Sequence, residues 1–239
     1  MKEKLEKFGL TIPKLVLTSI FVIIGFASMI YVRFTSNTLF SYFYCLATVG
    51  FALLPLILCM LMRWNMNFWF YLYFSLYTMG PLVGAVYNVY YLTSWWDDLL
   101  HFMAGTVFAV VGARLVITLN KKHPVSYVFA AIFGILLSVG IAVCWEFYEH
   151  ASDRLLNSDM QADTIVEVFN TKINSTDGSV QNFHDITCTI ITTADGKAYK
   201  FEGYLDIGLY DTMNDLLVET LGALLLLVYI AFDRNKHPL

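Results

Sequence analysis

The sequence predicts an all-α polytopic membrane protein with six transmembrane helices and a small extracytoplasmic β-rich insertion between helices five and six. Three observations predict this class. Of the 239 residues, 58% are apolar and only 14% are charged, which leaves too few polar side chains to cover a soluble domain of this size. Apolar stretches of about 20 residues, enough to cross a bilayer as a helix, recur along the chain. One long polar stretch separates the last of these apolar stretches from the others.

Six stretches are long and apolar enough to be transmembrane spans. Pro55 and Pro81 fall inside the second and third of them. Because proline removes a backbone hydrogen bond from a helix, we expect kinks at these two places. The spans are residues 12–33, 38–62, 67–92, 98–119, 125–150 and 212–232.

Residues 157–205 are polar, with seven acidic residues against three lysines. They contain β-prone runs at 164–170, 185–193 and 197–204, and Asp195-Gly196 separates the last two. An Asp-Gly pair between two such runs is typical of a β-hairpin. We therefore expect a small antiparallel sheet at 157–205, inserted into a six-helix transmembrane domain formed by residues 1–156 and 206–239.

The charges of the short loops predict the orientation, since lysine and arginine are enriched on the cytoplasmic side of membrane proteins. With six spans, the basic segments all fall on one side. Both termini are therefore expected in the cytoplasm, and the insertion on the outer side. The net charge of −4 gives no indication of a nucleic-acid partner. The basic residues of the segments that fall on the cytoplasmic side are Lys2, Lys4, Lys7, Lys14, Arg63, Lys121, Lys122, Arg234 and Lys236.

Acidic and histidine residues gather at one end of the last three spans. Within each span they recur at intervals of three or four residues and so share a helix face. The predicted orientation puts all three groups at the same outer depth, where we expect them to converge. They are Asp98 and His101 in span four, Glu146, Glu149 and His150 in span five with Asp153 just past its end, and Asp215 and Glu219 in span six with Asp211 just before its start.

Helix termini give a simpler account of some of these residues. Asp97, Asp98 and Asp211 begin helices, where an anion is favoured by roughly 0.3–1 kcal/mol. We interpret Asp97 as such a residue, and both interpretations stay open for Asp98 and Asp211. The carboxylates of span five oppose the helix dipole instead, and Glu219 lies about two turns inside span six. An ionisable group at such a depth indicates a functional site.

Histidines and carboxylates on neighbouring helices are the ligands of a mixed nitrogen and oxygen metal site. Zn²⁺, Mn²⁺ or Fe²⁺ suit such a set, while Mg²⁺ would use the carboxylates. A hydrogen-bonded ion-pair network without metal is the alternative. The candidate ligands are Asp98, His101, Glu146, Glu149, His150, Asp153, Asp211 and Asp215.

The motifs at these three places resemble those of a bacterial family. Asp98-Leu-Leu-His101-Phe-x-x-Gly105, Glu146-x-x-Glu149 with Asp153, and Gly208-x-x-Asp211-Thr212-x-x-Asp215 followed by Gly222-Ala223 are similar to the signatures of YjdF-like inner-membrane proteins. A weaker resemblance extends to VanZ-like proteins, which are associated with glycopeptide resistance. The resemblance implies a multi-pass protein of the bacterial inner membrane, without an established activity. Three features depart from this pattern: the long insertion, His150 in place of an aromatic residue, and the acidic Glu219. These departures leave the set of metal ligands open.

Three functions agree with these residues. An enzyme would use a metal or a Glu/His pair to act on a lipid or lipid-linked headgroup, with His101, Glu146 and Asp215 carrying the chemistry. A transporter would use the same residues as a cation or proton relay, although Arg114 is nearly alone among ionisable groups in the inner halves of these spans. A non-catalytic receptor, immunity or envelope-stress protein would meet its partner through the insertion.

Overall fold

The computed structural model of the protein describes residue 5 and residues 7–120, 123–173 and 175–232. The chain divides into two compact units. The first comprises Met1–Ala142 and Val218–Leu239, and the second comprises Val143–Leu217. Most of the basic residues on which the predicted orientation depends lie outside the described residues, namely Lys2, Lys4, Lys121, Lys122, Arg234 and Lys236.

The described residues are mostly helical. Five helical stretches are long and apolar enough to cross a membrane, and they correspond to predicted spans one, two, four, five and six. The helices are α1 Ile12–Phe34, α2 Leu39–Ala52, α3 Leu54–Met62, α4 Phe68–Pro81, a π-helix Leu82–Val86, α5 Val89–Leu92, α6 Trp96–Leu119, α7 Tyr127–Leu156 and α8 Leu209–Phe232.

The third predicted span, residues 67–92, is not one continuous helix. Its α-helical part ends at Pro81, a π-helical segment follows, and Asn88 then adopts a left-handed φ of 61° before α5. Proline has no N–H to donate, and π-helical turns mark irregular points in a helix. The irregularity expected at Pro81 is therefore confirmed, but the prediction of six spans is not.

The second span is interrupted at Leu53, between α2 and α3. Pro55 lies two residues later, in the first turn of α3. Proline is tolerated in a first turn because the N–H that it lacks would have no partner within the helix there. The break thus agrees with the kink predicted from Pro55.

Within the first unit, α6 and α8 cross in close contact. The backbone of Gly105 lies against the carbonyl of Glu219, and that of Gly222 lies against the carbonyl of Phe102. Thr106 donates its hydroxyl to the carbonyl oxygen of Gly222 at 3.0 Å. Small residues at a crossing let two helix backbones approach, so this pair of glycines determines how α8 packs on α6.

The same unit buries a lysine of the predicted basic amino-terminal segment. Lys14 is only 2% exposed. Its ammonium donates to the carbonyl oxygen of Gly9 at 2.7 Å and lies 5.6 Å from the centre of the Tyr71 ring. Lys14 therefore holds the chain at Gly9 against the start of α1, in addition to carrying a positive charge.

The second unit contains the insertion, whose described residues form three two-stranded antiparallel ladders. The β4–β5 hairpin predicted from Asp195-Gly196 is confirmed, with Gly196 at a φ of 82°. The expected single sheet is not formed, because β1 pairs with β6 and β2 with β3 in separate ladders. The strands are β1 Thr164–Val166, β2 Phe169–Thr171, β3 Gln181–Phe183, β4 Thr189–Thr192, β5 Ala198–Phe201 and β6 Tyr204–Asp206.

Aromatic packing joins two of these ladders. Phe169 on β2 stacks on Phe183 of the paired strand β3, with ring centroids 4.9 Å apart. The Phe169 ring also contacts Tyr204 on β6 at 4.4 Å. The insertion thus has a small apolar centre of its own. This centre lies between the β1–β6 ladder, which joins the two ends of the insertion, and the β2–β3 ladder.

Candidate functional site

Three buried carboxylates meet in the second unit. Glu146 and Glu149 on α7 are 4% and 5% exposed, and Asp215 on α8 is 1% exposed. One carboxylate oxygen of each lies within 4.8 Å of those of the other two. The structure therefore brings together acidic residues that the sequence predicted on two different spans.

The local sequence explains how these groups are presented. Glu146 and Glu149 are three residues apart on α7 and so lie on one face of that helix. Trp145 donates its indole N–H to Glu149 Oε1 at 2.9 Å, which orients that carboxylate. Asp215 follows the first turn of α8 and approaches from the second helix. The three oxygens then form a compact, negatively charged group suited to a cation.

Asp153, another predicted ligand, binds the first residues of the insertion. Its Oδ1 accepts the backbone N–H of Met160 at 2.7 Å and the hydroxyl of Ser158 at 2.8 Å. Its Oδ2 accepts the backbone N–H of Gln161 at 2.9 Å. Hydrogen bonds to a carboxylate are stronger than those between neutral groups. Asp153 therefore fastens the segment that follows α7.

Asp211 and His150, also predicted ligands, contact the same segment. Asp211 Oδ2 accepts the backbone N–H of Ala162 at 2.7 Å. His150 Nδ1 lies 3.2 Å from Gln161 Oε1, and the amide nitrogen of Gln161 donates to the hydroxyl of Thr212. Gln161 was not foreseen from the sequence, because its partners lie 11 and 51 positions away along the chain.

Further acidic residues lie around the start of the insertion. Desolvation and the negative charges of Asp159, Asp153 and Asp206 raise the pKa of Asp163 above its usual range. Asp206 also accepts the backbone N–H of Tyr210 at 2.9 Å, at the start of α8. The chain that follows Glu149 and the chain that precedes Asp215 thus carry further negative charges.

In the first unit, His101 lies between two carboxylates. The imidazole is on α6 and 6% exposed. Its Nδ1 is 3.5 Å from Glu219 Oε2, and its Nε2 is 4.0 Å from Asp97 Oδ1. Glu219 is itself 2% exposed. A protonated His101 would form ion pairs with both carboxylates.

From the sequence, Asp97 was interpreted as a helix-start residue, and for Asp98 that interpretation and a functional one stayed open. Asp97 does lie in the first turn, but it also faces His101, as its i, i+4 spacing would have allowed. Asp98 lies beside it in the first turn and is half-buried, where the helix dipole favours an anion. Of the eight candidate ligands, Asp98 and His101 belong to the first unit and the other six to the second.

The helices and the buried polar groups define a membrane protein with several helices able to cross a bilayer and buried acidic and histidine residues. A family model described as "Predicted membrane protein (DUF2238)" matches residues 15–236, which include all of the candidate site residues. The chain belongs to this family of predicted membrane proteins. No curated protein and no solved structure matches it.

Proposed function

We propose that this membrane protein binds a divalent cation, Mg²⁺ or Mn²⁺, through Glu146, Glu149 and Asp215. The observation that carries the proposal is the approach of three carboxylates, each at most 5% exposed, to within 4.8 Å of one another. The description of the family supports the membrane location and states no activity.

The physical argument is the cost of like charges removed from water. Two carboxylates about 4 Å apart repel by about 4 kcal/mol at an effective dielectric constant of about 20. The three carboxylates form three pairs, each with oxygens no more than 4.8 Å apart, and each ionised group also loses hydration on burial. The hydrogen bond that Trp145 donates to Glu149 offsets part of this cost. A divalent cation offsets all three charges together, whereas protons would neutralise them one at a time.

The chemistry of the ligands selects among the four metals considered from the sequence. All three groups offer oxygen, which hard cations such as Mg²⁺ and Mn²⁺ prefer, while Zn²⁺ and Fe²⁺ usually take nitrogen or sulfur ligands as well. Three carboxylates leave room for the bound waters that Mg²⁺ retains. His101 stays a predicted catalytic residue and is not needed for this ligand set.

The direct experiment measures Mn²⁺ bound to the purified full-length protein, by electron paramagnetic resonance and elemental analysis. We expect about one ion per chain, lost in Glu146→Gln and in Asp215→Asn. The exposed Glu202→Gln is the matched control, since it removes the same charge from the insertion surface. A wild-type protein that binds no Mn²⁺ at millimolar concentration, or variants that bind as well as wild type, would overturn the proposal.

The biological use of the cation is a narrower proposal. A bound Mg²⁺ or Mn²⁺ can polarise a phosphate ester or activate water, which supports an enzyme acting on a lipid or lipid-linked headgroup, with Glu146 and Asp215 taking part. A transporter would instead carry the ion. Sealed vesicles that contain the protein distinguish the two roles, because only the transporter moves Mn²⁺ into the lumen.

We also propose that the chain crosses the bacterial inner membrane six times, with both termini in the cytoplasm. Five helices of sufficient length support the multi-pass arrangement. The broken stretch from α4 to α5 would supply the remaining crossing, because its irregular backbone can be accommodated where it is covered by protein. The resemblance to YjdF-like proteins agrees with this location.

A further inference from the structure

We infer that residues 158–162 form a strap that closes the aqueous end of the cation site, so that the ion exchanges only when the strap opens. The inference rests on the proposed cation site at Glu146, Glu149 and Asp215 and concerns its regulation. The strap is the first part of the insertion, immediately after α7.

The position of the strap follows from helix spacing. Asp153 lies four residues after Glu149 on α7, and Asp211 lies four residues before Asp215 on α8. Both are therefore about one turn, or about 5.4 Å, beyond the ligands toward the ends of their helices. These two outer carboxylates are the ones that accept the strap's backbone N–H groups.

The strap spans the gap between the two helix ends. The N–H groups of Met160 and Gln161 bond to Asp153 on α7, and that of Ala162 bonds to Asp211 on α8. Three consecutive backbone amides of the strap thus donate hydrogen bonds to the two helices that carry the ligands. Charge-assisted bonds of this kind are about twice as strong as neutral ones, which makes a closed strap the stable state.

The side chain of Gln161 makes a second connection across the same gap. Its oxygen lies 3.2 Å from His150 Nδ1 on α7, and its nitrogen donates to Thr212 on α8. Gly208, at a φ of 103° just before α8, lies against Gln161 so closely that a Cβ at 208 would be 2.6 Å from the Gln161 Cβ. The glycine of the third sequence motif therefore makes room for the strap.

This arrangement has a kinetic consequence. A cation reaches Asp215 from water only after the bonds of Gln161 and of the three amides have opened, so closure slows both entry and release. We expect a slowly exchanging, retained cation.

Release of Mn²⁺ tests the strap. The full-length protein is loaded with Mn²⁺, mixed with excess chelator, and the appearance of free or chelated Mn²⁺ is followed over time. Gln161→Ala and Thr212→Val each remove a strap contact without changing any charge. Thr193→Val is the matched control, since its hydroxyl bonds only within the β4–β5 turn, to Asp195 and Lys197.

We expect release at least tenfold faster in Gln161→Ala and in Thr212→Val, with the amount of bound Mn²⁺ unchanged, and wild-type release in Thr193→Val. Wild-type release rates in both strap variants would overturn the strap and leave the cation site standing. A wild-type protein without bound Mn²⁺ would overturn the cation site itself. The two failures are thus distinguishable.

Discussion

Gly105 on α6 is in direct contact with the backbone of Glu219 on α8. A Cβ at position 105 would overlap the Glu219 carbonyl and lie 2.9 Å from the amide nitrogen of Ala223. His101 is one turn earlier on α6 and faces the carboxylate of the same Glu219. The glycine therefore allows the backbone approach that holds a deep carboxylate beside a buried imidazole.

Substitution of this glycine should destabilise the protein. In Gly105→Ala the new methyl group meets a backbone carbonyl, which cannot rotate away as a side chain would, so α6 and α8 must move apart. We expect a loss of about 1–3 kcal/mol, the usual cost of overpacking. Thermal unfolding of the purified protein in detergent measures it.

Gly140→Ala on α7 is the control, since nothing lies within 4 Å of a Cβ built there. This variant should unfold at the wild-type temperature or slightly above it, because the same change of residue type adds no clash here and alanine favours a helix interior over glycine. Equal stability of Gly105→Ala and Gly140→Ala would show that the α6–α8 crossing is looser than the structure has it.

Asp215→Asn should affect stability in opposite directions with and without a cation. In chelator, the variant removes one of three neighbouring buried negative charges, and we expect its unfolding temperature to rise above that of wild type. With Mn²⁺, a ligand at 100 times its Kd stabilises wild type by about 2.7 kcal/mol, and the variant should gain far less. Differential scanning fluorimetry in both buffers measures the pair of shifts.

Glu202→Gln, with its exposed carboxylate, should respond to Mn²⁺ as wild type does. An Asp215→Asn protein that is less stable than wild type in chelator would contradict the repulsion among the three carboxylates. An undiminished gain in Mn²⁺ would instead show that the ion binds elsewhere.

Much of the fold could be predicted because the bilayer imposes it. A span needs a fixed length of apolar residues, so hydropathy alone located five of the helices. Asp195-Gly196 located the β4–β5 hairpin because that turn depends on local residues. The pairing of β1 with β6 could not be predicted, since it joins the two ends of the insertion through contacts that no local pattern records.

The candidate site was predicted to a similar extent. Helical periodicity placed Glu146 and Glu149 on one face of their helix and Asp215 on the acidic face of the next. It could not separate them from Asp153 and Asp211, which have the same spacing, because the difference lies in the backbone amides of the irregular segment that follows α7. The π-helical segment after Pro81 was likewise beyond prediction, although the proline marked the place.

Asp177 in the insertion should titrate at unusually low pH. The hydroxyl and backbone N–H of Ser179, together with the hydroxyl of Ser175, lower the pKa of Asp177 to about 2. The stabilisation from these bonds is complete above the ordinary aspartate pKa and is lost as the pH falls through about 2. The carboxyl ¹³C chemical shift of Asp177 in the labelled full-length protein follows this titration.

Ser179→Ala removes one of these donors, so the midpoint of the Asp177 titration should rise. Thr187→Ala removes an exposed hydroxyl elsewhere in the insertion and should leave the midpoint at about 2. If the Asp177 carboxyl titrates in its usual range in the wild-type protein, the turn formed by residues 175–179 differs from the one in the structure.

Cys188 tests the proposed orientation. It is exposed in the insertion, whereas Cys45 and Cys59 are buried and Cys144 lies on the apolar helix α7. If the insertion is on the outer side, a membrane-impermeant maleimide added to intact cells should modify Cys188. Mass spectrometry of the purified protein locates the label.

Cys188→Ser should abolish the labelling of intact cells, which shows that Cys144 is not the residue modified. The wild-type protein in inside-out vesicles should stay unlabelled until detergent opens them, because the insertion then faces the lumen. Labelling with the opposite pattern, in inside-out vesicles and not in intact cells, would place the insertion in the cytoplasm and reverse the orientation inferred from loop charge. The strap and the three carboxylates would then receive their cation from the cytoplasm, where Mg²⁺ is the abundant divalent ion, so the sidedness of Cys188 also decides which solution supplies the site.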